Sequence, residues 1–210
     1  TEFSNLNPDT TAPTPDAASL LDQWMLGLLV LVPLAFALVV AFSPDKRARA
    51  TALLGTLAAG LLTVVALARF SWSNGAAFQF EHDVHWLPSL GISVSMGADS
   101  VSMLLVALTA LLGPICVLAS WTAITERVRL YFVSFLILQA AMVGVFIARD
   151  IIFFYICFEF TLIPMYVLVS QWGSTERKRA ATTFFLYTFT GSVITLAGLV
   201  YVAWINAGMA

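Results

Sequence analysis

Apolar side chains in this sequence fall into six long runs: Trp24 to Phe42, Ala50 to Phe70, Val101 to Trp121, Leu130 to Ala148, Ile151 to Ser170 and Ala180 to Ile205. Each approaches or exceeds the roughly 20 residues that an α-helix needs to cross a hydrocarbon core. A transmembrane barrel would instead show segments of ~10 residues alternating apolar and polar, and these runs are apolar on all sides. The pattern predicts an all-α membrane protein, a polytopic bundle of about six transmembrane helices. Between the second and third runs the period changes to 2. Phe78, Phe80, Val84 and Trp86 alternate with Gln79, Glu81, Asp83 and His85, and after PSLG the residues Ile92, Val94 and Met96 alternate with Ser93 and Ser95. Alternation on both sides of a Pro/Gly break predicts a β-hairpin. Two strands with one apolar face need a support, so the hairpin is expected to lie on these helices or on a neighbouring subunit. Residues 1–20 are polar, acidic and rich in Pro and Thr, which reads as a poorly ordered tail. The expected organisation is a tail over 1–20, helices 1 and 2 over 21–70, a loop with a hairpin over 71–99, and helices 3 to 6 over 100–210.

Composition strengthens the membrane reading: the chain is 60% hydrophobic and 10% charged, with mean hydropathy +0.91. A chain so poor in polar surface belongs in a lipid bilayer. A net charge of −2 points away from nucleic acid as a partner. The basic residues are one-sided. Lys46, Arg47 and Arg49 follow run 1, Arg127 and Arg129 follow run 3, and Arg177, Lys178 and Arg179 follow run 5, which is eight of the ten Lys and Arg. The positive-inside rule makes those joints cytoplasmic, and an even number of spans then puts both termini on the outer side.

Candidate chemistry is sparse. Cys116 and Cys157 fall inside runs without a CxxC spacing, and both histidines, His82 and His85, lie in the hairpin loop. No membrane histidine is available for haem, and no GxGxxG or Walker sequence occurs. No redox, nucleotide or metal site is therefore expected in this chain. His82, Asp83 and His85 read as a solvated strand face, Asp99 as the N-cap of helix 3, and Arg69 and Arg149 as snorkelling side chains at span ends.

One carboxylate breaks the apolar pattern. In FYICFEFTLIPMY, Glu159 stands about nine residues into its run, where an acidic residue costs roughly 2.5–3.5 kcal/mol to insert. Groups kept at that cost usually face the bundle interior and line an ion or proton path; the alternative is a neutral Glu serving as an interhelical hydrogen-bonding group. At 100° per residue, Tyr155, Tyr166 and Ser170 fall within about 40° of Glu159, giving helix 5 one polar stripe. Thr183, Tyr187 and Thr190 are expected to form the facing surface of helix 6, with Gly191, Thr195 and Gly198 as a small-residue ridge. Pro164 removes one N–H donor and frees the Phe160 carbonyl next to Glu159, a place for water.

The stretch ARDIIFFYICFEFTLIPMYVLVSQWG, followed by TERKRAATTFFLYTFTGS, resembles helices 5 and 6 of the antiporter-like subunit M, or chain 4, of NADH:quinone oxidoreductase (respiratory complex I). GADSVSMLLVALTALLGPICVLASW resembles helix 3 of that family, and the likeness runs from about Leu20 onward. The resemblance implies a proton-translocating membrane-arm subunit in a bacterial inner membrane, with Glu159 as the proton-carrying carboxylate. It implies NADH, flavin, iron–sulfur clusters and quinone in partner subunits, and contacts with other antiporter-like and small membrane-arm subunits. Family members pair this glutamate with a lysine on a broken helix 7. The lysines here, Lys46 and Lys178, lie in joints, so the helix 7 lysine is expected from a further segment or chain. Multisubunit cation/proton antiporters and membrane-bound hydrogenases reuse the same subunit type, and a non-transporting structural subunit is the remaining alternative.

Overall fold

The computed structural model describes residues 17–74, 77–87 and 92–208. Six helices follow the six apolar runs: α1 (Ala17–Phe42), α2 (Asp45–Arg69), α3 (Ser100–Ala119), α4 (Val128–Ile147), α5 (Ile151–Trp172) and α6 (Arg177–Gly208). All six are long and apolar enough to cross a membrane. Strands β1 (Gln79–Leu87) and β2 (Ile92–Ala98) form the hairpin between α2 and α3. The all-α membrane bundle with a small hairpin is thus what the chain folds into. Helix α1 begins at Ala17, inside the stretch expected to be a tail, while residues 1–16 and the PSLG turn lie outside the described residues.

Helix α4 is the centre of the bundle. It packs against α1, α2, α3 and α5, and α6 is reached through α5. Half of the α4 span is buried, against 11% for α5 and 6% for α6, so the chain has a closed half and an open half. Two apolar clusters fill the closed half. One, at the hairpin end, joins Met25, Leu29, Phe70, Met103 and Ile147; the other joins Val40, Ala52, Val117, Phe132 and Leu136. Carboxylates open two of the helices. The Asp99 side chain accepts from the Ser102 N–H at 2.8 Å, and that of Asp150 from the N–H groups of Ile152 and Phe153. The Ser102 hydrogen bonds hold the Asp99 carboxyl below the ordinary carboxylate range. At the end remote from the hairpin, Arg129 pairs with Asp45 at 2.6 Å and Arg49 donates to the Ile124 carbonyl at 2.7 Å. The basic joints are thereby gathered at one end of the bundle.

The hairpin rests on this chain's own helices. The strands pair antiparallel, with His82 opposite Met96 and Val84 opposite Val94, and the register slips between Gln79 and His82. Phe80 lies in that slip with φ of 56°. The His82 ring lies 4.8 Å from that of Trp24 on α1, so His82 is packed rather than solvated. Asp83 accepts from the Ser95 hydroxyl. The two span-end arginines do not simply reach for headgroups. Arg69 pairs with Asp22 at 2.6 Å. Arg149 crosses the bare face of Gly97, pairs with Glu81 at 3.1 Å and stands 4.7 Å above the Phe78 ring, while its backbone N–H donates to the Ser95 carbonyl. One side chain thus ties both sides of the hairpin to the α4–α5 corner.

An exposed ion pair and a cation–π contact together contribute on the order of 1–2 kcal/mol. Arg149→Ala is therefore expected to speed amide exchange in β1 and β2 about tenfold, with exchange in α4 unchanged. Equal protection of the hairpin in the variant would show that the latch does not hold it.

Candidate functional site

Glu159 is positioned by what holds α5. Against α4 the two helices come close at Gly144, where a Cβ would stand 2.8 Å from the Cys157 sulfur. At the far end the Trp172 indole N–H donates to the Glu126 carbonyl at 3.1 Å, Arg127 donates to the Gln171 amide oxygen at 2.7 Å, and the Tyr131 and Trp172 rings meet edge to face. These contacts fix the rotation of α5. Cys157 and Glu159 are separated by about 200° around the helix, so the face that meets α4 turns the carboxyl away from it.

On that opposite side the Tyr155 side chain, one turn from Glu159, touches both the Glu159 carboxylate and Ser192 of α6. Glu159 is half-buried, and its Oε1 is buried without a hydrogen-bond partner. Ser192 is buried, with its hydroxyl donating to the Phe189 carbonyl at 2.8 Å. The cluster is a carboxyl, a phenol and an alcohol at the α5–α6 seam, groups that can exchange protons through hydrogen bonds.

The other residues expected of this site are distributed differently. Pro164 is buried within α5 one turn beyond Phe160, whose carbonyl it leaves without its helical donor. Ser170 is buried and donates to the Val167 carbonyl of its own helix. Tyr166 is on the edge of the α5–α6 seam, its ring 5.7 Å from that of Phe185. Thr183 and Tyr187 do not face α5. Both are exposed, Tyr187 at 84%, and they border two shallow grooves of about 520 and 570 Å³ on the open side of α6 together with Arg179, Thr190 and Gly191. Gly191 and Gly198 have no neighbour within 4 Å of where a Cβ would stand. The α6 surface that meets α5 is instead rotated to Ala181, Phe185, Thr188 and Ser192. Reading the helix by hydroxyl groups missed Ser192; the spacing of 4, 3 and 4 among these four residues marks the seam.

Among the described residues no group of three or more His, Cys, Asp or Glu side chains gathers as a metal site.

Two family models cover nearly all of the chain. Residues 23–147 match "NADH-ubiquinone oxidoreductase chain 4, amino terminus", and residues 148–209 match "NADH:quinone oxidoreductase/Mrp antiporter, TM". F(420)H(2) dehydrogenase subunit M of Methanosarcina mazei is 41% identical over 173 residues, 82% of this chain and 35% of that protein. NADH-quinone oxidoreductase subunit M of Rhodobacter capsulatus is 39% identical over 185 residues, 85% of this chain and 35% of that protein. A chain of respiratory complex I from Thermus thermophilus with bound NADH superposes with a TM-score of 0.71 at 28% identity, covering 83% of this chain and 35% of that one. A chain of the Mrp complex from a Dietzia species shares the fold, with a TM-score of 0.66 at 17% identity over 82% of this chain and 18% of its own. The chain spans about a third of the length of the curated relatives it matches.

Proposed function

The chain belongs to the NADH-ubiquinone oxidoreductase chain 4 family, and from that premise we propose that it is a membrane-arm subunit of a proton-translocating NADH:quinone oxidoreductase in which Glu159 carries the proton. The observation that supports this most directly is the Glu159 carboxyl, held at the α5–α6 seam with one oxygen unpartnered and a phenol and an alcohol beside it. Burial favours the neutral form of a carboxyl, and an ammonium group brought close favours the carboxylate. A lysine on a helix 7 from a further segment or chain would load and unload the acid by retreating and approaching.

Moving one proton against a membrane potential takes about 2.3 kcal/mol per 100 mV. That energy has to come from partner subunits that hold NADH, flavin, iron–sulfur clusters and quinone. The likeness to an F(420)H(2) dehydrogenase subunit supports a membrane module that serves more than one electron donor. The localisation we propose is a bacterial inner membrane, with the Arg129–Asp45 end cytoplasmic and the hairpin end outside. Tyr155 lies one turn from Glu159 toward the hairpin end, so Tyr155 and Ser192 serve the outward step of the path. Pro164, Tyr166 and Ser170 lie on its inward side. Thr183 and Tyr187 act from the open face of α6, where the next segment or chain would pack.

Tyr155→Phe and Ser192→Ala, each in the assembled complex reconstituted in proteoliposomes, are expected to lower proton translocation per electron about fivefold, the worth of about one hydrogen bond. Ser192→Thr restores it. Wild-type stoichiometry in both deletion variants would remove the phenol and the alcohol from the path.

A further inference from the structure

At the end of the bundle remote from the hairpin, two arginines stand over a groove of which Glu159 is no part. The groove, of about 680 Å³, is lined by Ala41 and Asp45 where α1 passes into α2, and by Arg127, Arg129, Leu130 and Val133 where α4 begins. Each guanidinium group is already oriented by one hydrogen bond. Arg127 donates through Nη1 to the Gln171 amide oxygen at 2.7 Å, and Arg129 donates through Nε to Asp45 at 2.6 Å. A guanidinium carries five N–H donors in a flat fork, so both keep donors for a further oxygen acid. Arg127, Arg129 and Asp45 are all exposed, so such a group can reach them.

The walls beside the arginines narrow the class of ligand. Ala41 is one residue from the end of α1, and Leu130 and Val133 are in the first two turns of α4, so the groove runs from a charged rim into the apolar part of two spans. Leu38, exposed, and Ile137, half-buried, lie one turn deeper on the same helix faces and prolong the trough. Such a surface matches a molecule that joins an anionic head to a hydrocarbon tail. Charge decides the head. Two guanidinium groups against one carboxylate leave the rim one positive charge, while Lys46 and Arg47 beside Asp45 offset Glu126 beside Arg127. A phosphodiester brings the complementary negative charge and the paired oxygens that an arginine fork fits, and basic pockets between transmembrane helices suit anionic headgroups. We propose that this groove is a binding site for an anionic phospholipid, its phosphate held by Arg127 and Arg129 and one acyl chain lying along Ala41, Leu130 and Val133. The site follows from the span ends alone, whatever Glu159 carries.

The test compares two lipids on the assembled complex, reconstituted at low ionic strength in phosphatidylcholine vesicles. Each preparation holds the same small fraction of a lipid with a diazirine on its acyl chain, either phosphatidylglycerol or phosphatidylcholine, and the adducts are mapped by mass spectrometry after irradiation. Phosphatidylglycerol is expected to give about fivefold more adduct at Ala41, Leu130 and Val133, the preference that one net positive charge gives at a membrane surface. Arg129→Gln cancels the charge of the rim and brings the two lipids to parity there. Asp45→Asn adds one positive charge and raises the preference by about the same factor. Equal labelling by the two lipids in the wild-type complex overturns the proposal. So does a preference that neither substitution changes, or a density map of the complex in which a neighbouring polypeptide fills the groove.

Discussion

Glu159→Gln in the assembled complex is expected to lower proton translocation and the quinone reductase activity coupled to it by at least about tenfold, with the amount of assembled complex unchanged. The amide matches the carboxyl in shape and offers the Tyr155 hydroxyl beside it an acceptor oxygen, so the α5–α6 seam is expected to stay closed. What it cannot do is take up and release a proton. The substitution therefore separates the two readings of a carboxyl in a membrane. If Glu159 served only as a neutral hydrogen-bonding group between helices, Gln would do the same work, since such bonds are worth about 1–2 kcal/mol at most. Pumping at the wild-type ratio in this variant, measured as acidification per electron in proteoliposomes, would leave the chain a structural member of its complex. Glu159→Asp is the companion measurement: it keeps the proton but shortens the reach, so partial rather than lost translocation is expected.

The bundle was legible because each span answers to one requirement, the satisfaction of its own backbone in a solvent that offers no hydrogen bonds. Apolar length is enough to see that. The hairpin was legible for a different reason, a period of 2 with one face that had to be covered. Its register was less so: His82 falls on the same parity as Phe80 and Val84, and its polar type hid the fact that it packs on Trp24. Arg149 was misread as a lone snorkelling residue because its partners, Glu81 and Phe78, come from a loop nearly 70 residues earlier. The face of α6 was the hardest. In water a buried stripe is apolar and an exposed one polar, but in a bilayer both sides of a helix meet hydrocarbon, so hydropathy does not say which way it turns. Thr183 and Tyr187 carry the polar atoms, yet the seam is made where Ala181 and Ser192 let α5 come near. In Glu159 itself the sequence carried the clue, since the expense of a carboxyl in an apolar run is visible without coordinates, while Ser192 is one hydroxyl among several on its helix.

Small side chains decide helix contacts elsewhere in the chain too, and the second large effect follows from one of them. Gly55→Val is expected to destabilise the closed half of the bundle by on the order of 3 kcal/mol and to cut the yield of assembled complex several-fold. Helix α2 presents Ala48, Ala52, Gly55, Thr56, Ala59, Thr63 and Ala66 as its buried residues, a seam with no large side chain in it. At Gly55 a Cβ would stand 2.6 Å from the Phe36 Cβ and 2.7 Å from its Cγ. A different rotamer would move the Cγ, but the Cβ is fixed to the α1 backbone, so relief has to come from the α1 and α2 backbones separating. Separation loosens the whole seam, including the contacts of Ala48 and Ala52 with the cluster around Phe132. Leu54, beside Gly55 in sequence and 60% exposed, is the control: Leu54→Val leaves the α1–α2 approach untouched and should leave thermal stability unchanged. If the two variants melt alike, the α1–α2 approach at Gly55 is not what holds the closed half together.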